Sequence, residues 1–250
     1  MLSTVRPILT YGCEAWASDF TQLLLKPNQL DKAPFEQINN KFCKYVLGVP
    51  SRASNFAVKA ELGREPIFAF ICCQALRYWI RILNMTEDRL VKSAYLSELD
   101  IHKRGGQSWA SFIHILLELA NLSSVWDAPD PLELHKQSTT LKGKARSFYK
   151  QFYFDHNFAI VGQQSKLRSY IEFKNNSNME NYLTIEDVPQ SWRKMYCNIR
   201  ISCHDLEIER GRYCRPRKPP ENRICQVCKT ESETEQHFIL SCPAYTEFRK

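Results

Sequence analysis

Four potential metal ligands lie close together near the C-terminal end of the chain: Cys225, Cys228, His237 and Cys242. Their spacing is C-x2-C-x8-H-x4-C. Two thiols separated by two residues can bind one ion from a single turn, and the histidine and last cysteine can complete a tetrahedron from a following short helix or turn. Since four protein ligands leave no position for a catalytic water, the pattern predicts one structural Zn²⁺ ion. The alternatives are a chance arrangement or pairing of the cysteines as disulfides.

The rest of the chain favours a reducing compartment over a disulfide framework. It has 10 cysteines in 250 residues, and Met1 opens on a segment that lacks the basic and long apolar regions of a secretory leader. Cys72 and Cys73 are adjacent in an apolar segment and are expected in the core. We therefore predict an intracellular protein, nuclear or cytoplasmic or both. The longest apolar run, at 67–73, is far shorter than a bilayer span, so no membrane partner is expected.

The periodicity of apolar residues predicts a mainly α fold, a helical body followed by a small C-terminal metal module. Glycine is scarce, at 8 residues, which disfavours a β protein with many turns. The predicted helices cover about 34–47, 55–62, 66–84, 86–99, 109–120, a segment around 141–152, and 190–203. Residues 1–29 are expected to be irregular, with an extended stretch at 5–12. In the helix at 34–47, one face carries Phe35, Ile38, Phe42, Tyr45 and Val46 and is expected to be buried.

A basic segment precedes the predicted metal site. Its candidate nucleic-acid-binding residues are six cations and one tyrosine: Arg210, Arg212, Tyr213, Arg215, Arg217, Lys218 and Arg223. The cations can contact phosphates while Tyr213 stacks on a base. Three prolines, Pro216, Pro219 and Pro220, are expected to keep the segment extended. A net charge of +7 also favours an anionic partner, although a solvated basic linker is the alternative.

Two parts of the chain resemble the non-LTR (LINE-type) retrotransposon reverse transcriptases. Residues 7–16, PILTYGCEAW, are similar to a segment that follows the palm in that family, and residues 41–49 together with 60–67 resemble its thumb. Residues 200–213 and 223–245 resemble the CCHC zinc knuckle near the family's C-terminus. The resemblance implies a thumb-like helical region over 1–100, a helical connector over 101–189, and a basic segment with a CCHC knuckle over 190–250.

The chain departs from that family in its acidic residues. The family's polymerase depends on palm carboxylates, usually in a Tyr-x-Asp-Asp strand, and two-metal phosphoryl transfer needs such a cluster. This chain contains no Asp-Asp pair, and it resembles the part of the family's protein that follows the palm. We therefore expect no catalytic residue and no polymerase activity.

The resemblance implies a non-catalytic, nucleic-acid-binding C-terminal fragment of a LINE-type reverse transcriptase. RNA or single-stranded DNA would bind at the knuckle, and the thumb-like helices would grip a template–primer duplex. The alternative is a retroelement-derived adaptor whose zinc module binds protein. Glu231, Glu233 and Glu235 favour that alternative, because acidic residues inside the module would repel phosphate. A third possibility is an active enzyme supplied in pieces, with the palm on another chain.

Overall fold

The computed structural model describes residues 2–163 and 166–249 of the chain. Helices account for 67% of it, and no β-strand forms in the part described, so the predicted mainly α class is confirmed. Two isolated antiparallel bridges, Leu62 with Met179 and Ile224 with Ser232, tie loops together. None of the helices in the described part of the chain combines the length and the hydrophobicity that a lipid bilayer would require.

The longer helices lie close to where the periodicity predicted them. The α-helices of the described residues are α1 (Leu2–Leu9), α2 (Cys13–Trp16), α3 (Thr21–Leu25), α4 (Pro34–Leu47), α5 (Asn55–Glu61), α6 (Ile67–Leu83), α7 (Leu90–Lys103), α8 (Trp109–Leu119), α9 (Ser123–Asp127), α10 (Pro131–Gly162), α11 (Tyr170–Phe173), α12 (Gln190–Arg200) and α13 (Glu207–Arg210). Short 3-10 turns cover Ala17–Phe20, Pro27–Lys32, Asn181–Leu183, Pro220–Asn222 and Pro243–Arg249, and a π-helical turn covers His237–Ser241. The start of α7 was predicted too early, because residues 86–89 form a turn before it.

The chain divides into two compact units, each made of two stretches of sequence. The first unit comprises Met1–Asn40 and Arg64–Asn157, and the second comprises Lys41–Gly63 and Phe158–Lys250. These two units differ from the three consecutive segments, 1–100, 101–189 and 190–250, that the family resemblance implies. The three segments remain a prediction.

In the first unit, α6 packs against α2, α7 and α8. Trp79 of α6 is buried, and its indole Nε1 donates a hydrogen bond to the Tyr95 hydroxyl of α7 at 3.0 Å. Tyr149 of α10 is also buried and donates to the Leu116 carbonyl of α8 at 2.7 Å. Ser108 caps α8 as predicted, because its side chain accepts from the Ser111 N–H. The buried hydrogen bonds of Trp79 and Tyr149 fix how the helices of this unit pack.

Most of residues 2–32 lie in short α- or 3-10 helices, contrary to the prediction of an irregular, extended segment. Pro7 lies inside α1, where proline removes one backbone hydrogen bond and locally disfavours helix. Tertiary contacts compensate for this: the Arg6 guanidinium lies 4.5 Å from the centre of the Phe70 ring, and Cys13 of α2 is buried. Packing on α6 therefore overrides the local preference of this segment.

The buried face of α4 also differs from the predicted one. Phe35 is buried as expected, whereas Ile38 and Tyr45 are 46% and 77% exposed. The polar side chain of Glu36 is fully buried instead, because its carboxylate accepts from the Phe68 N–H at the start of α6 at 3.0 Å. Asn39 is buried beside it and donates to the same carboxylate. A buried capping interaction thus turns the helix away from its most apolar orientation.

The second unit is held by a buried ionic network. Arg200 of α12 donates from Nε and Nη2 to the two oxygens of Glu61, both at 3.0 Å, and Glu61 is fully buried. The Tyr182 hydroxyl donates to Glu61 at 2.6 Å, and Glu180 accepts from Arg200 and Lys174. Each charged side chain of this network has a partner of opposite charge. The network connects α5 to α12 through the 174–182 loop.

Candidate metal centre

The first two cysteines of the metal motif lie at the ends of a tight turn. The bridge between Ile224 and Ser232 closes a hairpin, and the Cys225 N–H donates to the Glu231 carbonyl at 2.8 Å. The Lys229 N–H then donates to the Cys225 carbonyl at 2.9 Å, with Lys229 in the left-handed region at φ 59°. This turn brings the Cys225 and Cys228 thiols to one side of the hairpin.

The last two ligands come from a π-helical turn. The Thr234 hydroxyl caps it by accepting from the His237 N–H at 3.0 Å, and the Cys242 N–H donates to the His237 carbonyl at 2.7 Å. The wide i-to-i+5 turn fits the four-residue spacing between His237 and Cys242. The predicted closing of the ligand set from a following turn is therefore seen here.

The four ligand atoms converge. The three sulfurs and one ring nitrogen all lie within 4.8 Å of one another, and the Cys228 Sγ is 3.3 Å from the His237 Nε2. A tetrahedral ion with Zn–S bonds of about 2.3 Å separates its ligands by roughly 3.7 Å, so a small contraction would close the set around one ion. Cys225, His237 and Cys242 are buried, and all ten cysteines are free thiols, as a metal site requires and a disulfide framework does not.

Neighbouring residues affect the protonation of the candidate metal ligands. Glu231 lies 3.1 Å from the His237 Nδ1, so this nitrogen carries the proton and Nε2 presents its lone pair to the thiols. A hydrogen bond from the Thr230 hydroxyl lowers the pKa of Cys228 to about 6, which favours the thiolate that binds metal. Burial raises the pKa of Cys225 to about 11, so its proton must leave when metal binds.

Glu231 offers a test of this arrangement. Replacing Glu231 with Ala should weaken metal binding by about 10- to 100-fold, because His237 loses the acceptor that orients its ring. Glu221→Ala is the matched control, since Glu221 is an exposed acid of the same region whose side chain does not contact a ligand. Competition against a chromogenic chelator measures both affinities. Equal affinities would show that Glu231 does not support the site.

Glu233 and Glu235, the other two acids that favoured the adaptor alternative, face inward. Glu233 accepts from the Glu207 N–H at 2.7 Å and from the Cys225 thiol at 3.4 Å. Glu235 pairs with Arg168 and accepts from the His204 Nε2 at 2.9 Å. Burial acts to raise the pKa of Glu235, but the His204 hydrogen bond and the Arg168 charge lower it to about 2. These carboxylates therefore do not form the phosphate-repelling surface that favoured the adaptor alternative.

The basic segment is folded rather than extended. The Lys218 N–H donates to the Gly211 carbonyl at 3.1 Å, so residues 211–218 form a closed loop after α13. The predicted stiff, extended joint is therefore wrong, because the backbone hydrogen bond returns the chain on itself despite its prolines. We call residues 210–218 the basic loop.

Two of the predicted phosphate-binding arginines, Arg223 and Arg212, bind groups within the protein instead. Arg223 is 2% exposed and donates to the Ile208 carbonyl at 2.7 Å and to the Lys218 carbonyl at 2.8 and 3.0 Å. A methyl group on Gly211 would lie 2.6 Å from its side chain, so the loop closes over it. Arg212 is 11% exposed and lies 3.0 Å from the Glu209 carboxylate. Arg223 thus cannot contact a ligand's phosphate from the outer surface as predicted.

The remaining members of the predicted set are accessible. Arg215 and Arg217 are exposed, Tyr213 is 63% exposed, and the side chains of Arg210 and Lys218 are 61% and 45% exposed while facing Glu207. The exposed cations therefore share one loop with one accessible aromatic ring, a combination that can contact both phosphates and a base.

Comparisons with known proteins add nothing to this geometry: no protein-family model matches the chain, and neither the curated proteins nor the solved structures include a significant match.

Proposed function

We propose that this chain binds RNA or single-stranded DNA through the basic loop, which is supported by a structural Zn²⁺ ion at Cys225, Cys228, His237 and Cys242. The observation that carries the proposal is the way the loop is anchored. The Ile208 N–H before the loop donates to the Glu233 carbonyl at 3.3 Å, and the Glu233 N–H donates to the Arg223 carbonyl after it at 2.9 Å. The segments that flank the basic loop on either side are therefore both hydrogen-bonded to Glu233 of the metal module.

Zinc is the ion that the donor set favours. Three thiols and one imidazole are soft or borderline ligands, which select Zn²⁺ over Mg²⁺ or Ca²⁺. Four protein ligands close the coordination shell, so the ion would stabilise the module without taking part in a reaction. In this role zinc keeps the hairpin and the π-helical turn together, and through Glu233 it keeps the basic loop in place.

The family resemblance supports the same function. A CCHC knuckle is an established kind of single-strand-binding module, and residues 7–16, 41–49 and 60–67 resemble segments of LINE-type reverse transcriptases. We infer a non-catalytic, C-terminal part of such an element, in which the thumb-like helices would contact a template–primer duplex. The absence of an Asp-Asp pair from the sequence is the basis for expecting no polymerase chemistry.

The salt dependence of binding tests the proposed nucleic-acid contacts. With Arg215, Arg217 and Lys218 engaged, and Arg210 contributing in part, the slope of log affinity against log salt should be about −2 to −3 on single strands. Replacing Arg215, Arg217 and Lys218 with Ala should make the salt dependence weaker, with a slope between about −1 and 0. Fluorescence anisotropy with single-stranded RNA and DNA of mixed sequence measures the slope.

The matched control removes the same charge elsewhere. Lys103, Arg104 and Lys136 are exposed cations of the first unit, and their triple Ala variant should keep the slope of the unmodified protein. If both triple variants bind single strands equally well, the basic loop is not the binding surface.

A protein-binding adaptor is the second candidate. Exposed apolar side chains on the metal module favour it: Val227 is 52% exposed, Leu240 66% and Phe248 87%. Apolar contacts of this kind bind with little dependence on salt. Weak, nearly salt-independent association with nucleic acid would therefore favour the adaptor over the nucleic-acid-binding function.

A further inference from the structure

A cavity of about 430 Å³ lies beside the basic loop within the second unit. Five cations line it: Arg168, Arg212, Arg217, Lys218 and Arg223. None of the eight described lining residues is acidic. A concave site that collects cations without an acidic lining is a place for an anion, because the charges of several cations add inside a partly enclosed space.

The charge of the cavity wall is only partly balanced by acids behind it. Glu209 lies 3.1 Å from Arg168 and 3.0 Å from Arg212, Glu235 also pairs with Arg168, and Glu207 lies 3.7 Å from Lys218, so three acids face the five cations. Arg217 is exposed, lines the cavity and has no ion-pair partner among residues 2–163 and 166–249. The wall therefore keeps an excess of positive charge, and Arg217 is the cation that an incoming anion can pair with at no cost to an existing bond.

The cavity wall is fixed before any ligand arrives. The Arg223 guanidinium is held by three hydrogen bonds to backbone carbonyls, and Gly211 packs directly on its side chain. Lys218 is followed by Pro219 and Pro220, whose rings limit backbone motion. A preformed wall loses little conformational entropy on binding, which favours affinity.

The size and the composition of the cavity point to more than an inorganic ion. Its volume is within the range of about 300–1,000 Å³ that is usual for small-molecule sites. Ile208, Pro219 and Pro220 give the wall an apolar part next to the cations. This combination matches a nucleoside phosphate, since the phosphate can face Arg217 and the sugar or base can pack on the prolines.

We propose that this cavity binds the phosphate monoester of a nucleotide, and that the nucleotide is the phosphorylated end of a nucleic-acid strand. A terminal monoester carries a charge of about −1.5 to −2 and three acceptor oxygens, whereas a backbone phosphodiester carries a single charge. The strand-end part of this inference rests on the proposed nucleic-acid-binding function, whereas binding of a nucleoside monophosphate does not.

The test compares strand ends on the complete zinc-loaded chain. Oligonucleotides of one sequence carry a 5′-phosphate, a 3′-phosphate or hydroxyl groups at both ends, and anisotropy measures their affinities. A phosphorylated end should bind about tenfold tighter than the hydroxyl form, as expected from one added charge-assisted contact. Arg217→Gln should reduce this preference to below about threefold.

Arg215→Gln is the matched control, because it removes the same charge from an exposed residue of the same loop that does not line the cavity. It should lower the affinity for every oligonucleotide by a similar factor and keep the tenfold preference. The strand-end assignment is overturned if the unmodified protein shows no preference, or if the preference is the same in Arg217→Gln and Arg215→Gln.

A free nucleotide tests binding in the cavity independently of the proposed nucleic-acid-binding function. Adenosine 5′-monophosphate is titrated into the zinc-loaded chain and followed by amide chemical shifts. If no oligonucleotide binds but the nucleotide shifts residues of the cavity, and Arg217→Gln abolishes those shifts, the proposed function and the strand-end assignment fail while the nucleotide site stands. If neither the nucleotide nor a phosphorylated end binds, the cavity proposal is wrong.

Discussion

Removal of zinc is expected to unfold residues 223–249 while the first unit keeps its helices. This part of the chain has few apolar groups, and its main aromatic contact is between Phe238 and Tyr245, whose ring centres are 5.2 Å apart. Such a segment cannot offset the entropy of ordering its backbone. Zinc binding of about 10–16 kcal/mol in comparable short modules is coupled directly to folding.

Metal analysis and hydrogen exchange measure this result. Protein purified under reducing conditions should contain one Zn²⁺ per chain, and Cys225→Ser plus Cys242→Ser should contain none. Cys214→Ser is the control, since Cys214 is a thiol of the same unit outside the ligand set. Zinc retained by the double variant, or loss of exchange protection in α6 and α8 on chelation, would contradict the prediction.

Glu61→Ala should destabilise the second unit by about 3–5 kcal/mol, because it leaves a buried positive charge without its main partner. Glu61 is fully buried and accepts both hydrogen bonds of the Arg200 fork, and the Arg200 side chain is only 10% exposed. Asp100→Ala is the control. It breaks the exposed pair with Arg104, the residue that follows α7, and should cost less than about 0.5 kcal/mol.

The two units can be monitored separately during unfolding. Trp192 belongs to the second unit, and the four other tryptophans belong to the first. Fluorine-labelled tryptophan therefore reports the unfolding of both units in one urea titration. In Glu61→Ala, only the unfolding transition reported by Trp192 should shift to a lower urea concentration. In the double variant with Arg200→Ala, the two losses should be less than additive, since both remove one interaction. Equal effects of Glu61→Ala and Asp100→Ala would show that the network adds no stability.

Local patterns predicted the features that depend on short distances along the chain. The four ligands were evident from their spacing, and α8 was evident from Ser108 and the apolar positions that follow it. Glu36 was not predictable in the same way, because its partner at Phe68 is far away in sequence. Pro7 was misleading for a similar reason, since the contact of Arg6 with Phe70 is made only in the folded unit.

The basic segment shows the same limit within the candidate site. Arg223 and Arg217 are alike in sequence, yet one is buried under the loop and the other is exposed. What separates them is the contact with Gly211 and the carbonyl acceptors, neither of which has a local signature. Glu231 was noticed as an acid but not as a partner of His237, although acids near zinc-binding histidines are a common arrangement.

The inward carboxylates of the metal module have a practical consequence for protein engineering. Glu235 accepts from Arg168 and His204, which lie outside the 223–249 stretch, and Glu233 accepts from the backbone of Glu207. A peptide that begins at Pro220 would contain Glu233 and Glu235 without the groups that donate hydrogen bonds to them. The part of the chain before the cut would keep Arg168 without its partner Glu235. The smallest excisable piece that preserves these bonds therefore begins before Arg168. Grafting Cys225, Cys228, His237 and Cys242 alone onto another scaffold would transfer the candidate metal ligands without the basic loop.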